Sequence, residues 1–143
     1  VPGLETRMPI TFSEGVVKGR IDLQTFVAVT STNAARLFGL YPKKGTISVG
    51  ADADICIWDA DKDVTITQDI LHHDTDYTPF EGLRVTGWPF ITISRGKIVW
   101  ENGEVKCEPG WGKFLARDPY EYIQPRGVLP TPFDPVSLTT TSE

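Results

Sequence analysis

Gly45–Asp59 reads GTISVGADADICIWD, and the architecture follows from how this stretch is parsed. Gly45 and Gly50 mark the two ends of a short strand, TISV, and Asp52 and Asp54 then alternate with Ala51 and Ala53. In the apolar run that follows, Ile55 and Ile57 fall on one face of a strand and Cys56 and Trp58 on the other. Two carboxylates two residues apart are also the raw material of a metal site or an acid–base pair. A divalent cation, however, needs further oxygen ligands at fixed spacing, and no EF-hand pattern follows. An aspartate in a turn accepts hydrogen bonds from backbone N–H groups two residues on and holds a corner unaided. The stretch is therefore read as strand, aspartate-built turn, strand.

Upstream, the chain reads as helical. In LETRMPITFSEGVVKG, from Leu4 to Gly19, Pro9 suits a first helical turn, with Gly15 and Gly19 near the end. Asp22 is a good N-cap for the next helix, where Leu23, Phe26, Val27 and Thr30 share one face. Thr32 is read as the cap of a further short helix whose Leu37 and Phe38 point one way. Gly39 supplies its left-handed stop, and Pro42 prevents continuation. So few short helices cannot form a core of their own and should pack on something absent from this sequence.

Downstream the texture is β-rich. ADICIW and VTIT read as separate strands, and QDILHHDTDYTPFEG (68–82) as a surface loop with Pro79 and Gly82. Strands resume in LRVTGWPFITISRG and KIVWENGEV. Arg95-Gly96 and Asn102-Gly103 stand where hairpin turns belong, the second a strong type I′ signal. The proline-rich stretch after Gly112 has neither a helical nor a strand period and reads as an extended arm or disordered tail.

The totals exclude several classes of function. A chain of 143 residues suffices for one domain with a real core. A net charge of −5 argues against nucleic acid or an anionic membrane as partner. No apolar run approaches the roughly 18 residues of a membrane span, and no signal peptide is visible. Cys56 and Cys107 fit neither a disulfide scaffold nor a zinc motif, and are read as buried or half-buried free thiols of a cytoplasmic protein. His72 and His73 are the only histidines. As neighbours they point to opposite sides, so with Asp74 and Asp76 they read as solvated loop polarity rather than a metal pair. A zinc hydrolytic centre needs three or more well-placed ligands, which these residues do not supply. There is no phosphate loop, G-x-S-x-G elbow or Cys–His pair. The four tryptophans, Trp58, Trp88, Trp100 and Trp111, each close or follow a β run and read as covers for the ends of a small core. Neither a catalytic nor a metal-ligating residue is assigned.

Gly45–Asp59 together with VTGWPFITISRGKIVWENGEV (85–105) resembles the C-terminal part of the amidohydrolase superfamily. PGLETRMP (2–9), TSTNAARLFGLYPKKG (30–45), DYTPFEG (76–82), the GWP turn (87–89) and EPGWGKFLAR (108–117) are similar to the D-hydantoinase and dihydropyrimidinase branch. The likeness runs from Val1 to about Arg117. It implies an α/β parent, a metal-dependent (β/α)8 barrel plus a β-sandwich, of which this chain is the C-terminal helices, part of the sandwich and an extended tail. The divisions expected are 1–42 for the helical end of the barrel, 43–112 for the sandwich portion and 113–143 for the arm.

The resemblance implies a hydrolase that opens hydantoin or dihydropyrimidine rings by attack of a metal-activated hydroxide, with two divalent zinc-type ions in the parent. The family's metal ligands, catalytic aspartate and substrate-binding asparagine would all precede Val1. This segment thus binds no cofactor and is inactive alone, and its start at Val1 without methionine reads as the middle of something longer. Val1, Pro2 and Gly3 would lie at the rim of the substrate pocket. The implied partners are the N-terminal barrel portion of the same protein, a small cyclic amide, and further copies in a homo-oligomer such as a tetramer, with 118–143 as an assembly arm. The alternative is a non-catalytic dihydropyrimidinase-like adaptor or assembly protein. The form of PGLETRMP and GLYPKKGTISVGADAD leans toward the enzymes.

Overall fold

The computed structural model describes residues 2–117 and the backbone of two short strands further on, Phe133–Asp134 and Thr139–Thr140. Helices come first. α1 (Arg7–Thr11) runs without a break into a wider π-helical segment, Phe12–Val17. α2 (Leu23–Val27), a second π-helical segment (Ala28–Thr32) and α3 (Asn33–Leu37) follow as one rod. Both wide segments lie beside a threonine that donates its hydroxyl to the carbonyl four residues back, Thr11 to Arg7 O at 2.7 Å and Thr30 to Phe26 O at 2.7 Å. Such back-bonding competes with the N–H ladder for the carbonyl and loosens its register.

The Asp22 cap is present, its carboxylate accepting from Thr25 N at 2.7 Å, and Gly39 ends the rod at φ +67°. Thr32 corrects the reading of a separate helix. It is itself helical, caps nothing, and donates its hydroxyl to Gly45 O at 2.8 Å instead. Helical hydrogen bonding therefore passes through the position where a new start was expected.

Four strands form an antiparallel sheet in the order β1 (Ile55–Thr65), β2 (Arg84–Ser94), β3 (Lys97–Glu101), β4 (Glu104–Val105). ADICIW and VTIT, read as two strands, meet in the single strand β1, which takes in Ile55–Trp58 of the first and Val64–Thr65 of the second. The ladder to β2 slips between Asp59 and Asp63, so the polar DADKD stretch bulges while pairing resumes at Asp63↔Thr86. TISV, by contrast, is not a strand. Ile47 is 80 % exposed and Val49 wholly exposed, because no partner strand reaches them among the described residues. Both predicted hairpin turns form, with Arg95 and Asn102 at φ 47° and 49° ahead of Gly96 and Gly103 at 80° and 91°. The expected arm at 118–143 lies outside the described residues except for β5 (Phe133–Asp134) and β6 (Thr139–Thr140). These pair antiparallel, where no strand period had been read.

The core is small. Ile66, Val85 and Trp88 are buried, with Ile10, Val64, Leu71, Phe80 and Leu83 packed on them. Helices meet sheet through an aromatic cluster. Phe12 stacks on Trp58 at 5.1 Å, and Phe26 meets both rings edge-on at 5.4 and 5.9 Å. Gly87, at φ +95°, lets Phe12 sit against β2, since a Cβ there would lie 2.3 Å from the ring. Ser13 Oγ accepts from Thr86 N at 3.1 Å and adds a polar tie. The helices thus do find packing within this chain, on one side only. Leu23, Val27, Val29, Leu37 and Phe38 remain about half exposed.

Candidate functional site

Pro2 and Gly3 are half-buried just ahead of α1, and Val1 lies outside the described residues. Gly3 O accepts the first helical bond, from Arg7 N at 3.1 Å, so the segment is tied directly to the helix. A Cβ on Gly3 would lie 3.8 Å from the Phe80 ring, which places this segment against the 68–82 loop.

Asp52 and Asp54 come together on a lysine. Lys44 Nζ bridges them, 2.8 Å from Asp52 Oδ2 and in contact with Asp54 Oδ2. Asp54 Oδ1 accepts the Arg95 backbone N–H at 2.8 Å, which pins the start of β1 to the β2–β3 turn. Burial pushes the Asp54 carboxyl up, but Lys44 and the Arg95 N–H outweigh it and hold it below the ordinary range. Burial likewise opposes the charge on Lys44, and the two carboxylates overcome it and raise its pKa. The turn-building reading stands in outcome. Its detail changes, because the key acceptor contact reaches across the fold instead of two residues along the chain.

The two histidines do point to different partners. His72 Nδ1 lies 2.8 Å from Glu5 Oε1, and His72 N donates to Glu5 Oε2 at 2.8 Å. Nε2 faces Gly103 O at 3.2 Å. His73 Nδ1 instead meets Thr75 Oγ1 at 2.6 Å. Solvated loop polarity describes Asp74 and the exposed ring of His72, whose contacts nevertheless join three separate segments, but not His73, which is half-buried with its Nε2 unpartnered among the described residues. Nothing in LETRMP marked Glu5 as its partner.

The cysteines are free as read, but Cys56 is exposed rather than buried; Cys107 is half-buried. Trp111 lies under two cations, with Arg95 Cζ at 4.6 Å and Lys97 Nζ at 4.8 Å from its ring. An open cleft of about 320 Å³ is lined by Gln68, Asp69, Asp76, Tyr77, Thr78 and Glu81.

These residues do not fit a binuclear metal centre. Both ring nitrogens of His72 are engaged, His73 turns toward Thr75, and among the described residues no three of His, Cys, Asp and Glu are grouped to hold an ion. No helix among them is long and apolar enough to cross a membrane.

Comparison with known proteins decides the lineage. Residues 3–99 match the model of the Amidohydrolase family. The chain belongs to the amidohydrolase family. Within that family it is 44% identical to dihydropyrimidinase 2 of Caenorhabditis elegans, over 98% of this chain and 29% of that protein. It is 46% identical to human dihydropyrimidinase-related protein 5, over 80% of this chain and 20% of the relative. In three dimensions it superposes on a D-hydantoinase (dihydropyrimidinase) from Thermus sp. with a TM-score of 0.81 and 43% identity, covering 84% of this chain and 26% of that one. This amidohydrolase chain therefore spans about a quarter of the length of these relatives. Its helices and small antiparallel sheet correspond to that share of a hydantoinase barrel protein.

Proposed function

We propose that this chain is the C-terminal structural share of a cyclic-amide hydrolase that opens hydantoin or dihydropyrimidine rings, and that it has no catalysis of its own. The observation that carries the reading is the match along nearly its whole length to proteins named dihydropyrimidinase and D-hydantoinase. Among the described residues no three of His, Cys, Asp and Glu are grouped to hold an ion, and on this reading two zinc-type ions are held by another part of the parent protein. On this reading 1–42 is the C-terminal helical end of the barrel, 43–112 contributes to the sandwich, and 113–143 is the arm, of which 118–143 reaches toward other subunits of a cytoplasmic homo-oligomer. Pro2 and Gly3 contribute backbone and shape to the pocket rim. The half-exposed apolar side chains of α2 and α3 are the surface that the barrel portion would cover.

Complementation tests the proposal. The chain with added zinc is expected to hydrolyse neither dihydrouracil nor hydantoin. Co-expressed with a D-hydantoinase lacking its last quarter, it is expected to restore turnover. Turnover by the chain alone, or a truncated partner unaffected by it, would overturn the reading. A second reading, a non-catalytic adaptor, draws on the comparable identity to dihydropyrimidinase-related protein 5. It predicts that the whole protein carrying this segment is folded and oligomeric but shows neither bound zinc nor hydrolysis.

A further inference from the structure

His72 stands where three segments distant in sequence meet, and its ring sits between two groups that can only accept hydrogen bonds. Nδ1 faces the Glu5 carboxylate at 2.8 Å and Nε2 faces the Gly103 carbonyl at 3.2 Å. A neutral imidazole carries one N–H and can satisfy one of them; the imidazolium satisfies both. The second Glu5 oxygen takes the His72 backbone N–H at 2.8 Å, so the carboxylate grips the loop at two points. We propose that His72 is a proton-operated clasp: as imidazolium it ties the 68–82 loop at once to Glu5 and to the Asn102–Gly103 turn, and on losing a proton it keeps Glu5 and releases the turn.

The order of release follows from the geometry. The contact to Glu5 is the shorter and pairs a donor with a charged acceptor, so the remaining proton stays on Nδ1. The surroundings leave Glu5 in control. From β3 the indole of Trp100 meets the ring edge-on, at 6.4 Å. Glu101 and Glu104 flank the turn, and Glu104 is paired with Lys106. His73 and Asp74 are its neighbours on the loop. Glu5 first and then the Gly103 carbonyl raise the His72 pKa above 6.5, against a smaller opposing effect of partial burial. The clasp is closed below that raised value and opens as pH rises through it. The loop also carries Phe80, against which Gly3 lies, so the proton decides whether the β3–β4 turn is held to the N-terminal segment. The clasp works whether or not the parent protein hydrolyses anything.

Nitrogen-15 NMR of the uniformly labelled full chain tests it. The wild type should titrate at His72 above 6.5, show the Nδ1–H tautomer (the minority form of free histidine) at high pH, and move the Gly103 amide with the same midpoint. Glu5→Gln should lower that midpoint. His72→Gln should abolish the pH step at Gly103. A midpoint at or below 6.5, an Nε2–H tautomer at high pH, or a Gly103 amide indifferent to the titration would each overturn the clasp. The wild-type tautomer decides the matter even if Glu5→Gln fails to fold.

Discussion

Asp54 shows how one side chain can serve two distant stretches at once. It takes Lys44 on one oxygen and the Arg95 backbone N–H on the other, and stays ionised below the ordinary carboxylate range. A carboxylate with a lowered folded pKa contributes stability above its unfolded value of 3.8, and that contribution is lost as pH falls through the folded pKa. Asp54→Asn should therefore lower unfolding free energy by about 1 kcal/mol at neutral pH, a modest figure because the carboxylate is partly solvated. In urea titrations the gap to wild type should close as the pH drops below 3.8. A gap independent of pH would mean that the ion pair is not the source. Two glycines make a sharper contrast. Gly50 has φ +93° with open space around it, so Gly50→Val should cost about 1–2 kcal/mol from backbone strain alone. Gly87 has a similar φ but faces Phe12, so Gly87→Ala adds a steric clash and should cost about 3 kcal/mol or more. Equal melting curves for the two variants would contradict the packing described.

At the scale of elements, the hairpin β3–β4 was legible because its determinant is local. Asn-Gly tolerates two consecutive positive φ values and most other pairs do not. Asn102→Ala should cost about 1 kcal/mol, read as a shift in the denaturant midpoint with unchanged slope. The Asp22 cap and the Gly39 stop were legible for the same reason. The continuity of α2 and α3 was not. Thr32 carries a capping residue's chemistry, and only the Gly45 carbonyl, 13 residues away, decided that its hydroxyl would be used elsewhere. TISV failed as a strand in the opposite way: β-branched residues favour extension, but a strand exists only when another backbone bonds to it. The join between helices and sheet rests on Phe12, Phe26 and Trp58. Trp58→Ala should remove about 3–4 kcal/mol and uncouple the two in hydrogen exchange.

For the whole molecule, the important feature is what stays uncovered. Leu4 at 82 %, Ile47 at 80 % and Phe114 at 96 % exposure join the half-exposed face of α2 and α3. Apolar surface on this scale promotes association. The chain by itself should form oligomers at micromolar concentration, visible by light scattering. Val27→Glu should change folding stability by no more than about 0.5 kcal/mol yet reduce that association and weaken complementation of a truncated hydantoinase. A monodisperse wild-type monomer would count against the surface having a partner.

By itself the sequence determined the features that depend on neighbours a few residues apart: turns that demand positive φ, the helix cap at Asp22, the succession of helices then strands, and the motifs that mark an amidohydrolase. Steric limits on φ and short-range hydrogen bonds act within that span, so residue type decides them. The tertiary structure alone decided where the long-range bonds go. Asp54 found its backbone donor 41 residues away and His72 its carboxylate 67 residues away. A polar side chain's bonding capacity is written in its chemistry, but its partner is chosen only when the folded backbone brings distant groups within three ångströms.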